Sequence, residues 1–385
     1  MLRLKLFPVV LAAVFWLAFL VAPAEAKIPC RAPEAVCAAA SHVFRIEAYD
    51  PEASAVLIEP ELLVTNRHVV ADQEKARVFP PVGEPLTAQV VPTRYPGDLV
   101  LLRVPGLKAA APLERAKANA GEPLYTIGTD VKRDAIKVYE PGLLVLAPAT
   151  GKPLARLHHD AISGPGNSGG ALVNAKGQLV AVIASGGDGR NEAIPASEIA
   201  RLKAQSGPEH RELSRRIGEA YRKCARAVDN ALNNTGASRQ ALTAKQTAFI
   251  KDQCGAANNR QLWDLAGQAF GRRRMIDDSI DMFARALAQD PNAINSMFAM
   301  TVTLHLAGRY ADEVPFLRRL VDILPADAQV LRLGVQAGAW GNDAALKDRS
   351  LGLLEKFHPR MAPMARKFIE ANPAPPKRRG AGEGR

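Results

Sequence analysis

The sequence predicts a multidomain β + α chain, with a β-rich first half followed by a helical second half. Three observations carry that expectation. Apolar runs of four to seven residues, rich in β-branched types and bounded by Gly, Pro, Asp and Asn, recur from Val43 to Leu202. Past Ser206-Gly207-Pro208 the chain turns to Ala, Arg, Lys, Gln and Leu, with almost no β-branched clusters. Asp290-Pro291 and Leu324-Pro325 then close two helix-like segments whose prolines stand 34 residues apart.

The elements follow in order. Residues 1–26 read as a secretory signal peptide: Arg3 and Lys5 precede the apolar run Phe7 to Ala22, and Ala24-Glu25-Ala26 fits the small-x-small cleavage pattern. An uncleaved membrane anchor is the rival, for which a 16-residue run is short. Export, to a periplasm or beyond the cell, is therefore expected. An oxidising compartment makes disulfides of Cys30, Cys37, Cys224 and Cys254. Three pairings are open, and the two local ones, Cys30–Cys37 and Cys224–Cys254, are favoured. Zinc is not expected, because no CxxC or Cys/His cluster has ligand spacing. The net charge of +11 on an exported protein points to anionic lipid or cell-wall surfaces rather than to nucleic acid. Its dense runs, Arg272-Arg273-Arg274 and Lys377-Arg378-Arg379, read as solvated surface.

Residues 27–205 form the β domain, whose Pro/Ala-rich start wraps the surface. Its strands are expected at Ala55 to Ile58, Leu62 to Thr65, Asp98 to Val104, Leu124 to Gly128, Gly142 to Leu146 and Leu179 to Ile183. Several short strands of this kind suggest a sandwich or a pair of barrels. Residues 206–256 read as a helical hairpin broken near Asn233-Asn234-Thr235-Gly236, which a Cys224–Cys254 bond would staple. Residues 257–371 read as stacked helix pairs, and 372–385 as a disordered basic tail without core formers.

The helix pairs carry a pattern. Trp263, Gly267, Phe270, Ser279, Phe283, Ala286 and Pro291 in the first, and Leu304, Gly308, Tyr310, Leu317 and Pro325 in the second, resemble the tetratricopeptide unit. Small residues let one helix approach the other, aromatics fill the groove between them, and proline ends the pair. Glu313 stands where that unit has a small residue, and a third, degenerate unit runs from Ala328 to about His358. The resemblance implies an α-solenoid with a groove for substrate or a protein partner.

The chemistry is expected around Ser168, a serine among glycines in Ser163-Gly164-Pro165-Gly166-Asn167-Ser168-Gly169-Gly170. Glycines let the chain turn tightly and aim successive N–H groups at one point, which an oxyanion hole needs. A hydroxyl also needs a base, and the base an orienting acid. Upstream, His68 follows the strand Leu62 to Thr65, and Asp98 opens another strand 30 residues later. Each alone reads as a structural residue; the three contexts together are far more specific.

Thr65-Asn66-Arg67-His68-Val69-Val70, Asp98-Leu99-Val100-Leu101-Leu102 and Gly166-Asn167-Ser168-Gly169-Gly170-Ala171-Leu172-Val173-Asn174 resemble the trypsin-like serine peptidases, in particular the HtrA/Deg branch. The resemblance covers roughly residues 43 to 202. It implies a trypsin-like double β-barrel and a serine endopeptidase acting on proteins or peptides without a cofactor. It gives Ser168 as nucleophile, His68 as base, Asp98 as its partner, and the N–H groups of Gly166 and Ser168 as the oxyanion hole. Ile162, Val182 and Ala184, with their neighbours, are the expected specificity pocket, suited to small or medium apolar side chains. Three departures stand out: Ala53-Ser54-Ala55-Val56 replaces a glycine-rich strand start, the loop between Gly128 and Val138 lacks the family's Asn-Pro-Phe-Gly, and helices follow in place of a PDZ domain.

Alternatives remain. Gly166-Asn167-Ser168-Gly169-Gly170 also fits a nucleophile elbow, but no helix follows the serine and the later histidines lie in the helical half. His158-His159-Asp160 invites a metal, yet adjacent strand residues face opposite ways. A catalytically silent scaffold that binds peptides through its repeats is the rival of a different class.

Overall fold

A computed structural model describes residues 30–108, 111–186, 190–233 and 240–375. The expected signal peptide, the Lys377-Arg378-Arg379 run, most of the expected tail and most of the hairpin break lie outside these residues.

Six strands, β1 (Val43–Glu47), β2 (Ala53–Glu59), β3 (Leu62–Thr65), β4 (Lys75–Phe79), β5 (Leu86–Val91) and β6 (Val100–Arg103), close a barrel in the order β1-β2-β3-β6-β5-β4. Seven more, β7 (Leu124–Asp130), β8 (Ala135–Val138), β9 (Leu144–Leu146), β10 (Leu157–His159), β11 (Ala171–Asn174), β12 (Leu179–Ser185) and β13 (Asn191–Pro195), form one sheet ordered β8-β7-β11-β12-β13-β10-β9. The expected pair of barrels is thus one closed barrel and one barrel-like sheet, the trypsin-like fold.

The period-2 alternation of strands sorts their side chains between two cores. Phe44, Ile46, Ala55, Leu57, Leu63, Val100 and Leu102 fill the first barrel. Val43, Val56, Ile58, Val64 and Leu101, from the alternate positions, meet Tyr125, Ile127, Ala171, Val173, Val182 and Ala184 of the second sheet. This shared core fixes the seam between the sheets, and the candidate site lies on that seam. The segment expected to wrap the surface does more. Its helix α1 (Glu34–Ala39), bridged by Cys30–Cys37, buries Val36 and Ala39 in the shared core.

A one-turn helix, α2 (Arg67–Val70), follows β3, and α3 (Glu198–Ala204) closes the β domain by burying Ile199 and Leu202. The helical half begins with α4 (Arg211–Asn233) and α5 (Ala244–Ala257), joined by the Cys224–Cys254 disulfide. Both expected pairings are therefore present. Thr243 and Gln246 start α5 with a capping box, the side chain of each accepting from the other's backbone N–H.

Three helix pairs follow: α6 (Arg260–Arg272) with α7 (Ile276–Gln289), α8 (Ile294–Ala307) with α9 (Tyr310–Ile323), and α10 (Ala328–Trp340) with α11 (Ala344–Phe357). A last helix, α12 (Ala362–Ala371), packs on the third pair. A Cβ on Gly267 would lie 2.7 Å from the Phe283 ring, and one on Gly334 would lie 2.3 Å from Ser350 Oγ. Both contacts recur with the same offset, 334 − 267 = 350 − 283 = 67, about two of the 34-residue periods. Glu313, odd for the pattern, is fully buried and bonded to the His305 ring at 3.1 Å.

One expectation fails. Arg273 is not solvated: it is 5% exposed and donates to the carbonyls of Ala231 and Gln240, tying α6 to the hairpin. Carbonyls left over at a helix end are strong acceptors for such a guanidinium.

Candidate active site

β3 and β6 pair in register, Thr65 opposite Val100. Asp98 stands two residues before Val100 and His68 three residues after Thr65, so the two meet off the ends of paired strands. His68 Nδ1 lies 2.8 Å from Asp98 Oδ2, and the His68 backbone N–H donates to Oδ1 at 3.0 Å. The Asn66 amide and the Arg67 N–H both donate to the Asp98 carbonyl, at 3.0 and 3.3 Å. The acid thus fixes both the position and the tautomer of the ring, leaving Nε2 as the acceptor. Burial alone would raise the Asp98 carboxyl. The facing His68 ring, its hydrogen bonds and the Arg156 guanidinium outweigh burial and hold the carboxyl below the usual range.

Helix α4 covers the ring from outside. Tyr221 stacks on His68 with centroids 6.4 Å apart and planes 27° from parallel, and Tyr49 meets Tyr221 edge-on. Arg222 grips Asp72 with two hydrogen bonds near 3.0 Å, from Nε to Oδ1 and to Oδ2, and a third from Nη2. These contacts anchor α4 beside α2.

The loop around Ser168 is held by short side chains and backbone. Ser54 N–H donates to the Ser168 carbonyl at 2.8 Å, and Ser54 Oγ donates to the Gly166 carbonyl at 2.7 Å. Asn167 folds the turn by accepting from Gly164 N–H at 2.8 Å and reaching the Thr129 carbonyl at 3.1 Å. Gly169 and Gly170 exchange hydrogen bonds with Ile183, each at 2.9 Å. Gly169 has φ +80°, and a Cβ there would sit 2.1 Å from the Ser54 carbonyl and 2.2 Å from Thr65 Oγ1. Only glycine fits. The loop therefore lies against the end of β3, three residues before His68.

Among the described residues, neither Ser168 Oγ nor His68 Nε2 has a hydrogen-bond partner, so these two atoms are not bonded to each other. The N–H groups of Gly166 and Ser168 also find no acceptor there, although Gly166 is buried. Unpaired buried N–H groups are rare and collect where a ligand completes them.

The pocket candidates separate. Ile162 is 51% exposed beside the loop, whereas Val182 and Ala184 are sealed in the shared core at 0% and 1%. His158 faces Glu192 and Asp290 at 3.9 and 3.8 Å, and His159 makes neither contact. Burial first, then the neighbouring His158, lowers the His159 ring to about 4.

Residues absent from the sequence expectation complete the site. Ser54 occupies the departure already noted, which was its only signal. Arg156, buried before β10, reaches Asp98 Oδ2 at 3.5 Å, Ser185 Oγ at 2.9 Å and Glu192 Oε2 at 3.3 Å. Arg260 of α6 pairs with Glu192 through two parallel hydrogen bonds, Nη1 to Oε1 at 2.9 Å and Nη2 to Oε2. Asp290, in the α7–α8 turn, accepts from the Arg156 N–H at 3.0 Å.

Residues 53–182 match the family model described as a trypsin-like peptidase domain. The serine protease Do-like HtrA of Lactobacillus helveticus is 26% identical over 157 residues, which cover 36% of this chain and 38% of that protein. The serine protease Do-like HtrB of Bacillus subtilis is 28% identical over 153 residues, covering 36% and 33%. The chain thus spans under two fifths of the length of these relatives. Among solved structures, the Rv3671c protease of M. tuberculosis in its inactive form aligns with 46% of this chain and 98% of its own, at 24% identity and a TM-score of 0.39. Over residues 53–182 the chain is thus similar to trypsin-like peptidase domains, and its homologues are of the HtrA type.

Proposed function

We propose that the protein is a serine endopeptidase acting on protein substrates, with Ser168, His68 and Asp98 as its catalytic residues. One observation carries this reading: the carboxylate at 2.8 Å from Nδ1 of a buried histidine whose Nε2 has no partner among the described residues. The HtrA-type relatives support it.

In the proposed reaction Ser168 Oγ attacks a peptide carbonyl carbon, and its proton passes to His68 Nε2. Asp98 stabilises the imidazolium that forms, and the unpaired N–H groups of Gly166 and Ser168 receive the oxyanion. The proton then moves to the leaving nitrogen as the C–N bond breaks, giving an acyl group on Ser168. Water, deprotonated by His68, releases that group and restores the hydroxyl. The Nε2–Oγ hydrogen bond missing here is of the kind that tightens when substrate binds.

Export belongs to the same proposal, supported by the N-terminal sequence and by two disulfides. So does docking by the helix pairs. A groove of about 530 Å³ runs from Ser185 and Gly186 at the end of β12 to Leu265, Phe298, Val302 and Leu306 on α6 and α8. Leu306 is 67% exposed there, an apolar contact offered to substrate or partner.

A fluorophosphonate probe tests the chemistry on purified protein beside Ser168→Ala. Labelling of the wild type alone supports the proposal; a folded wild type that takes no label sinks it in favour of the silent scaffold. A Leu306→Glu variant should label normally yet digest unfolded protein more slowly, and unchanged digestion removes the docking role.

A further inference from the structure

Four buried charged side chains run in a line from the helical half to the candidate base. Arg260, Glu192, Arg156 and Asp98 are 3%, 2%, 4% and 5% exposed. Arg156 divides its guanidinium between two carboxylates, Nη1 toward Glu192 and Nη2 toward Asp98. Arg260 meets Glu192 from the other side with the bidentate geometry that guanidinium and carboxylate favour. A void of about 20 Å³, the size of one water, is walled by Asp98 and Arg156 from the β domain and by Asn259 and Arg260 from the helical half. We propose that Arg260 is a positioning residue for the catalytic pair: by sharing Glu192 with Arg156, it sets how closely Arg156 approaches Asp98, and so the helical half tunes the base. The inference rests on the peptidase reading for its consequence in catalysis, and on geometry alone for its effect on His68.

The direction follows from the charges. Asp98 faces His68 and Arg67 from α2, Arg156 from before β10, and Tyr221 from α4. Glu192 faces Arg156, His158 and Arg260, with Asp264 and Asp290 beyond them. Removing Arg260 takes one cation from the cluster and leaves Glu192 to Arg156 alone. Arg156 is then drawn toward Glu192 and away from Asp98. Both changes leave more negative charge beside the imidazole, which favours its protonated form. Removing Glu192 together with Arg260 has the opposite consequence, because Arg156 then has Asp98 as its nearer partner.

The experiment records kcat and KM against pH for a short peptide substrate. Arg260→Met should move the acid limb of kcat/KM upward by about one pH unit, about tenfold at pH 6, with KM within about twofold of wild type. Arg260→Lys, which keeps the charge but not the fork, should fall between. The pair Glu192→Gln/Arg260→Met should return the limb to the wild-type position or below it. An unmoved limb with kcat falling in step with melting temperature gives Arg260 a purely structural role and overturns the proposal, as does a double variant that fails to reverse the single one. If Arg260→Met does not fold, the double variant and Arg260→Lys decide. The His68 ring resonances, followed by NMR in a Ser168→Ala background, report the same displacement without turnover. Failure of fluorophosphonate labelling would then remove the peptidase reading, while this titration still upholds or overturns the inference.

Discussion

The two halves of the candidate site are held by different physics. The Ser168 loop rests on backbone and small side chains from the β domain itself: Ser54, Thr65, Thr129 and Asn167, within close-packed glycine turns. The His68–Asp98 pair is supported by rings and charges, and half of those come from helices far along the chain, Tyr221 of α4 and Arg260 of α6. Close packing tolerates no added atom, because a well-filled interior has nowhere to put it. A buried charge line tolerates movement but not an unmatched charge. One half should therefore fail as a fold and the other as a rate.

Asp98→Asn tests that division with the largest effect. In the proposed mechanism it removes the charge that stabilises the imidazolium and disturbs the ring's tautomer, so kcat should fall on the order of 10³- to 10⁴-fold. Circular dichroism and the urea midpoint should change far less than the rate. A loss of folding in proportion to the loss of rate would merge the two halves into one. Gly169→Ala breaks the other half and comes next. Its Cβ meets backbone at 2.1 Å and must adopt φ +80°, a double strain costing about 3 kcal/mol. A lower urea midpoint with an unchanged slope checks it, and a variant as stable as wild type would show that the loop can yield.

Legibility in the sequence divides along the same line. The turn at Ser168 is readable because its determinants are contiguous: glycines permit the turn and the next strand begins at Ala171. His68 and Asp98 were readable as strand-end residues. So were most strands, because period-2 patterns survive wherever one face meets the barrel and the other the shared core. Ser54 left only a trace, as a serine where glycine was expected. Arg156, Glu192, Arg260 and Tyr221 left none. Glu192 looks like one more charge near a hairpin, and Arg260 like the start of an amphipathic helix. Only the packing of α6 against β13 makes them partners. Arg273 misled for the converse reason, since a run of three arginines reads as surface until the carbonyls that bury one of them are seen.

The finest test lies within the charged half, where two acids near Arg260 respond oppositely. Glu192 is pushed up by burial, but Arg260, His158 and Arg156 overcome this and hold it well below the usual carboxyl range. Asp264, one turn after Arg260 on α6, accepts from Ser296 Oγ at 2.6 Å, yet burial dominates and raises it to about 6. The signs follow from linkage. The depressed Glu192 adds stability above the unfolded carboxyl range, about pH 4, and loses it as the pH falls through its lower folded value. The raised Asp264 does the reverse: below about pH 4 both states are protonated, and between about 4 and 6 the unfolded chain ionises first, so stability is lost as the pH rises. Asp264 keeps part of its surface in solvent, which trims the effect to about 1 kcal/mol. Asp264→Asn keeps an acceptor for Ser296 and drops the charge. It should melt higher than wild type at pH 7 and together with it at pH 4. A variant that melts lower at both pH values would place Asp264 among the matched charges, beside Glu192.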